Sequence, residues 1–314
     1  MTHSTNFLRL LSLLIFIVLL ALIPRYAQPY TIISLNSIFM YIVLTVSWAM
    51  FSGPTHYISL ASAAFFGLGI YVSAILGDKL PLLVVIGFGG LISSLLALLV
   101  GLSSLRLRGM YFTIFTFGLS ELIRHSVLWW EVNKTGTVGR WVIAVDHTTV
   151  YYVMLGILLI TLAVTSIIKH SKYGLALSSI GESEEAADHI GINVNALKII
   201  IFAVGTFFMG ATGAIMATRW SYIDPSIAFN PLFSFMPVLM AIFGGVGQIF
   251  GQVLGAAVLT LLADLLLTKL PYYYMLLYGV ILIIVILFLP KGLVGLKEEV
   301  KLWLGGMKQR YENT

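Results

Sequence analysis

Three groups of residues have types and spacing that could do more than pack. Glu121 and Arg124 stand three residues apart in an otherwise apolar run, with Thr113, Thr116 and Ser120 just ahead of them. An i,i+3 spacing places the carboxylate and the guanidinium on one helix face, within reach of each other. Ionisable groups at membrane depth are costly unless they pair or line a cavity. The pair therefore either fixes helix packing or lines a path for a polar solute, and the hydroxyls fit both, since Ser and Thr also join helices. The second group, Glu182, Glu184, Glu185 and Asp188 with Ala186 and Ala187 among them, precedes Gly191 in the only long polar stretch between apolar runs, residues 171–195. Acidic residues suit the first turn of a helix and glycine suits its left-handed end. This predicts a short amphipathic helix over Glu182–Gly191 lying along the membrane, with a solvated loop as the plainer alternative. The third group is Gly244, Gly245, Gly247 and Gly251, between two short apolar segments. Close helix packing and a hinge or gate both fit such a glycine turn.

Enzymatic chemistry finds little support. The six histidines are scattered without an H-E-x-x-H pattern, and the absence of cysteine removes disulfides, thiolate metal sites and cysteine nucleophiles. No G-x-x-x-x-G-K-[ST] phosphate loop occurs. No catalytic residue, metal site or cofactor is expected in this chain, and nucleotide-driven work would need a partner.

The elements that must position these groups follow from composition. Of 314 residues, 59% are hydrophobic and 10% charged, with a mean hydropathy of +1.00. Soluble domains carry about 25% charged residues, so the expected fold is an all-α polytopic membrane protein forming one transmembrane domain over 1–314. Crossing the membrane takes roughly 20 mainly apolar residues. Candidate spans are Phe7–Pro24, Thr31–Phe51, Tyr57–Leu76, Pro81–Ser104, Met110–Trp130, Val150–Ile168, Ala196–Thr218, Pro231–Phe243, Gln252–Thr268 and Tyr273–Pro290, about ten crossings. The eighth and ninth are short, leaving a re-entrant pair as an alternative there. Tyr222–Pro225 reads as an external turn, because Asp followed by Pro favours one. The first run is read as a retained helix, since Pro24-Arg25-Tyr26 makes a poor cleavage site.

Lys and Arg collect on the cytoplasmic side of membrane proteins. With the N-terminus inside, Arg9, Arg106, Arg108, Lys169, Lys172, Lys198 and five later cations (Lys291, Lys297, Lys301, Lys308, Arg310) are cytoplasmic. Only Arg25, Lys79, Lys134, Arg140, Arg219 and Lys269 fall outside. Both termini are then cytoplasmic, and the basic tail 297–314 suits an anionic lipid surface. The net charge of +5 follows from this placement and is no sign of nucleic acid binding.

A resemblance sharpens this reading. Glu185-Ala186-Ala187-Asp188-His189-Ile190-Gly191 resembles the E-A-A…G loop of bacterial ATP-binding-cassette (ABC) importer permeases. The flanking Tyr173-Gly174-Leu175-Ala176-Leu177 and Gly191-Ile192-Asn193-Val194, with Lys198, are similar to the branched-chain amino acid importer permeases of the LivM type. Leu105-Arg106-Leu107-Arg108-Gly109-Met110-Tyr111-Phe112 with Glu121-Leu122-Ile123-Arg124, Ser59–Gly67, Gly244–Gly251 and Phe288–Leu293 resemble further motifs of that family, in the same order. Ser62 stands where the family has histidine, and Thr135-Gly136-Thr137 where it has T-G-G.

The resemblance implies a subunit of a bacterial or archaeal inner membrane importer without its own ATPase site. Its partners would be a second homologous permease, two cytoplasmic ATPase subunits carrying ATP and magnesium, an external solute-binding protein, and membrane lipid. The Glu182–Gly191 helix would dock on an ATPase subunit, and the solute would be a branched-chain or other hydrophobic amino acid. Urea, amides or aromatic acids carried by the same permease type, and an ion-coupled secondary transporter centred on Glu121, are the alternatives.

Overall fold

The computed structural model describes residues 17–288, apart from 106 and 108, together with 292 and 293. The basic tail 297–314, Arg106 and Arg108, residues 7–16 of the first candidate span and residues 289–291 of the last motif lie outside the described residues.

Long apolar runs without internal breaks give the long helices. In chain order these are α1 (Ile17–Tyr26), α2 (Pro29–Thr55), α3 (Ser62–Leu76), α4 (Leu82–Ser104), α5 (Met110–Trp130) and α6 (His147–His170). Two short helices, α7 (Lys172–Glu182) and α8 (Glu184–His189), lead into α9 (Val194–Met216). The chain continues through α10 (Pro225–Ala228), α11 (Leu232–Gly244), α12 (Ile249–Lys269) and α13 (Tyr274–Phe288). Pro29 and Pro225 each sit in a first helical turn, where a missing N–H is harmless. Asp146, Ser171, Ser183, Asn193 and Asp224 each cap a helix, their side chains accepting from a backbone N–H of the first turn.

Six helices are long and apolar enough to cross a membrane: Pro29–Thr55, Leu82–Leu102, His147–His170, Val194–Arg219, Pro225–Gly244 and Ile249–Lys269. Ten crossings therefore exceed what length and composition support among the described residues. The difference has physical causes. Residues 57–61 have no regular structure, so α3 begins only at Ser62 and its 15 residues reach about 22 Å at 1.5 Å each. The helix α5 has 21 residues but carries Glu121, Arg124 and His125. The region left open as a re-entrant pair consists of α11 and a continuous 21-residue α12.

Helix α9 is the structural axis, packed against α4, α3 and α2. It comes close because glycines face glycines: a Cβ on Gly69 would strike the Gly210 carbonyl, and one on Gly213 the Phe66 carbonyl. Gly89 on α4 is likewise pressed against Ala214 and Gly210. Ser93 on α4 donates to the Phe65 carbonyl of α3 at 2.9 Å. Aromatic side chains fill the space around this contact, with Phe51, Phe65 and Phe112 each in ring contact with Phe202.

The fold is not purely helical. Arg140–Trp141 (β1) and Tyr222–Ile223 (β2) form a two-residue antiparallel ladder pairing Arg140 with Ile223 and Trp141 with Tyr222. The expected external turn at Tyr222–Pro225 is thus a strand followed by the Asp224 cap of α10. At this end Glu131, in a π-helical turn after α5, is fully buried. Its carboxylate accepts from Gly139 N at 2.8 Å and lies 3.4 Å from Arg140 Nε.

Candidate functional site

The polar stretch 171–195 folds as a helical hairpin element, not as a loop. Ser183 has extended backbone (φ −160°, ψ 115°), so it ends α7 and starts α8 in one residue. This corrects the single helix expected over Glu182–Gly191: Glu182 closes α7, and only Glu184 and Glu185 occupy the acidic first turn of α8. Gly191 has φ +86°, the left-handed conformation in which glycine carries no Cβ penalty. Ala187 is buried with Ile180 and Val194 in a small apolar cluster that seats α8 on α7 and the start of α9.

Beneath this element lies a polar joint. Lys198 on α9 is 1% exposed, and its Nζ donates to Glu184 Oε1 at 2.8 Å and to the Leu105 carbonyl at 3.2 Å. Tyr57 donates its hydroxyl to the same Glu184 oxygen at 2.6 Å, and its ring lies 4.6 Å below the Lys198 ammonium. The joint connects α8, α9, the chain after α2 and the end of α4. Lys198, read from sequence as a cytoplasmic cation at the start of the Ala196–Thr218 span, has its side chain in the interior. Glu182, Glu185, Ala186, Asp188 and Gly191 remain exposed, so the outer surface over the joint is acidic.

The second group lies on α5. Arg124 Nη2 meets Glu121 Oε2 at 2.6 Å, with each side chain a little over one quarter exposed. Thr116 is buried, accepts from Leu60 N at 3.0 Å and donates to the Thr113 carbonyl. Thr113 donates to the Ile58 carbonyl at 2.9 Å, and Ser120 is buried with its Oγ unpartnered. Two of the three hydroxyls thus hold the non-helical 57–61 segment against α5. Met110, Tyr111, Ile114, Leu122 and Trp129 on the same helix are exposed. This apolar face, bordering the ion pair, is left exposed among the described residues.

Ser62 starts α3, buried and unpartnered. It lines a cavity of about 10 Å³, room for roughly one water. In the glycine turn, Gly244 packs directly on the Gly251 carbonyl and Gly245 has φ +107°. Gly247 accepts from Lys169 Nζ at 2.6 Å, and Gln252 donates to the Val246 carbonyl at 2.6 Å. The turn is pinned to α6 and α12. Glu182 of the acidic face and Gly247 of the glycine turn line one cavity, which the α5 pair does not line. No group of three or more potential metal-ligating side chains occurs among the described residues.

Sequence reasoning did not single out Tyr57, or Glu131 with its partner Arg140. The available signal for Lys198 was position: it stands within the apolar run that begins at Val194.

These features define a multihelical chain, six of whose described helices are long and apolar enough to cross a membrane, with two capped polar helices seated on its central helix. The chain matches the family described as branched-chain amino acid transport system / permease component over residues 30–286, and it belongs to that family. It is 24% identical to the LivM permease protein of the high-affinity branched-chain amino acid transport system of Escherichia coli K12, over 86% of this chain and 71% of the relative. It is 25% identical to LivH of the same system and strain, over 83% of this chain and 93% of the relative. A ribose import permease, RbsC of Haemophilus influenzae, is 28% identical over 38% of this chain and 39% of its own length. No solved structure matches the chain.

Proposed function

We propose that this permease is the membrane half of an ABC importer for branched-chain amino acids, driven by ATP and magnesium bound on partner ATPase subunits. The observation that carries the proposal is the Lys198–Glu184 joint: a helix with an acidic outer face is fastened through a buried ion pair to the central membrane helix. A push on α8 then reaches α9 without passing through a flexible loop. The solute class is carried over from the LivM and LivH relatives, both described as high-affinity branched-chain amino acid permeases.

In this reading α7 and α8 face the cytoplasm and the β1–β2 ladder faces the solute-binding protein. The apolar face of α5 with Glu121 and Arg124 meets the second permease, where the translocation path forms. The short α3, the charged α5, α1 and α13 complete about ten crossings with both termini inside, α3 and α5 being tolerated because protein covers them. ATP binding on the partners supplies the differential stabilisation of two states that alternating access requires.

The test is purification of the tagged chain from its native membrane in mild detergent, with mass spectrometry of what accompanies it. Recovery of ATPase subunits and a second permease is expected, with leucine uptake in vesicles that needs ATP. A chain that comes out alone and drives uptake under an ion gradient without ATP would overturn the proposal.

A further inference from the structure

Beside the coupling element lies a cavity of about 330 Å³. Its walls come from the end of α2, the end of α6, the inner side of α7 and the α11–α12 turn. Met50, Ile168, Leu177, Val246 and Ile249 make it largely apolar. Two opposite charges also line it, Lys169 and Glu182. Among the described residues neither forms an ion pair; Lys169 is engaged by the Gly247 carbonyl alone. Gln252, 4% exposed, lines the same cavity and leaves its Oε1 without a partner. His56, in the left-handed conformation at φ 60°, closes the rim with its ring 3.2 Å from the Gly181 carbonyl.

An apolar chamber that offers one ammonium, one carboxylate and one orphaned buried acceptor suits a small zwitterion with a hydrocarbon side chain. We propose that this cavity binds a free apolar amino acid. Lys169 takes its carboxylate, Glu182 and Gln252 Oε1 take its ammonium, and the Met50–Leu177–Val246 wall takes its side chain. Its volume lies at the lower end of the range for small-molecule pockets, roughly 300–1,000 Å³, and an amino acid fills part of it. The occupant would touch α7, two residues from the start of α8, and the turn between α11 and α12 at once. It would tie the coupling element to the membrane helices in one arrangement. Resting on the permease reading, the site faces the cytoplasm and senses the delivered product, so accumulated amino acid slows further uptake.

The test measures radiolabelled L-leucine binding to the assembled complex in nanodiscs, without solute-binding protein or ATP. Saturable binding is expected, competed by valine but not by leucinamide, which lacks the carboxylate, or by 4-methylpentanoate, which lacks the ammonium. Lys169→Gln and Gln252→Leu should each weaken binding roughly tenfold to a hundredfold, the range for a lost charge-assisted hydrogen bond. Absence of saturable binding would overturn the site, as would equal competition by leucinamide or unchanged affinity in both variants. In proteoliposomes, leucine trapped on the ATP side should slow ATP-driven uptake several-fold for the wild type and not for Lys169→Gln. Uninhibited uptake would remove the sensing role alone. Failure of ATP-driven uptake would instead fall on the permease reading, with the binding result still deciding the site.

Discussion

Lys198 Nζ and Glu184 Oε1 meet at 2.8 Å across the junction between a membrane helix and the short helix lying on its end. The lysine is almost wholly buried and the glutamate partly so, and Tyr57 and the Leu105 carbonyl complete the lysine's surroundings. Removing Glu184 takes the counter-charge from a buried ammonium, which costs more than never having placed the pair. Lys198→Met should lower solute-stimulated ATP hydrolysis by the complex several-fold while the chain still inserts. A double-mutant cycle with Glu184→Met, followed by thermal unfolding in detergent, should give a coupling of about 1–3 kcal/mol. Additive single effects would show that the two side chains do not act together.

Glu185 points outward from α8 and is exposed, so its substitution leaves the joint intact. Glu185→Lys should reduce the ATPase subunit recovered with the tagged permease, without lowering the amount of permease in the membrane. Undiminished recovery would place the ATPase contact elsewhere.

At Gly191 the requirement is conformational: φ is +86° and open space surrounds the position of a Cβ. A β-branched residue there meets the left-handed penalty of about 1–2 kcal/mol, whereas asparagine tolerates the conformation. Gly191→Val should impair coupling and Gly191→Asn should be the milder of the two, as read by the ratio of stimulated to basal ATP hydrolysis. Equal effects would point to side-chain contact with the partner instead.

The Glu121–Arg124 pair separates packing from transport. Glu121→Gln should lower uptake with the complex still assembled, and exchanging the two residues should restore part of it if the pair is what matters. Unchanged uptake and assembly in Glu121→Gln would remove this residue from the path.

Glu131 holds the far end of the molecule together through Gly139 N and Arg140. Glu131→Ala strands a partly buried guanidinium and a backbone donor, and should cost about 1–3 kcal/mol. Limited proteolysis should then cut within residues 136–146, whereas Glu131→Gln, which keeps an acceptor, should resist longer. Equal resistance of both variants and the wild type would show that this carboxylate does not anchor the segment.

The helices were legible because apolar runs are long and polar interruptions few: the runs read at Met110–Trp130 and Pro81–Ser104 differ from α5 and α4 by one residue at most. The break at Ser183 was not legible. A serine between glutamates looks like any first-turn residue until its backbone is seen to be extended. Gly191 could be placed because its role is local, set by φ alone. The burial of Lys198 was not legible for the opposite reason. Its partners are Glu184 and Tyr57, 14 and 141 residues away in the chain, and periodicity carries no information about such partners. Glu131 escaped notice in the same way, since nothing near it in sequence shows that Gly139 and Arg140 fold back over it.

Where α3 and α9 touch, Gly69 and Gly213 leave main chain against main chain, and on α4 Gly89 comes as close with only the small Ala214 and Ser93 side chains beside it and Gly210. Side chains can switch rotamers and so let neighbouring helices slide, but touching backbones have nothing to switch. These three helices are therefore one solid piece, and Lys198 stands at its foot. Any torque delivered at Glu184 turns the whole piece, so the displacement at its far end depends on lever length instead of on a relay of adjustable contacts.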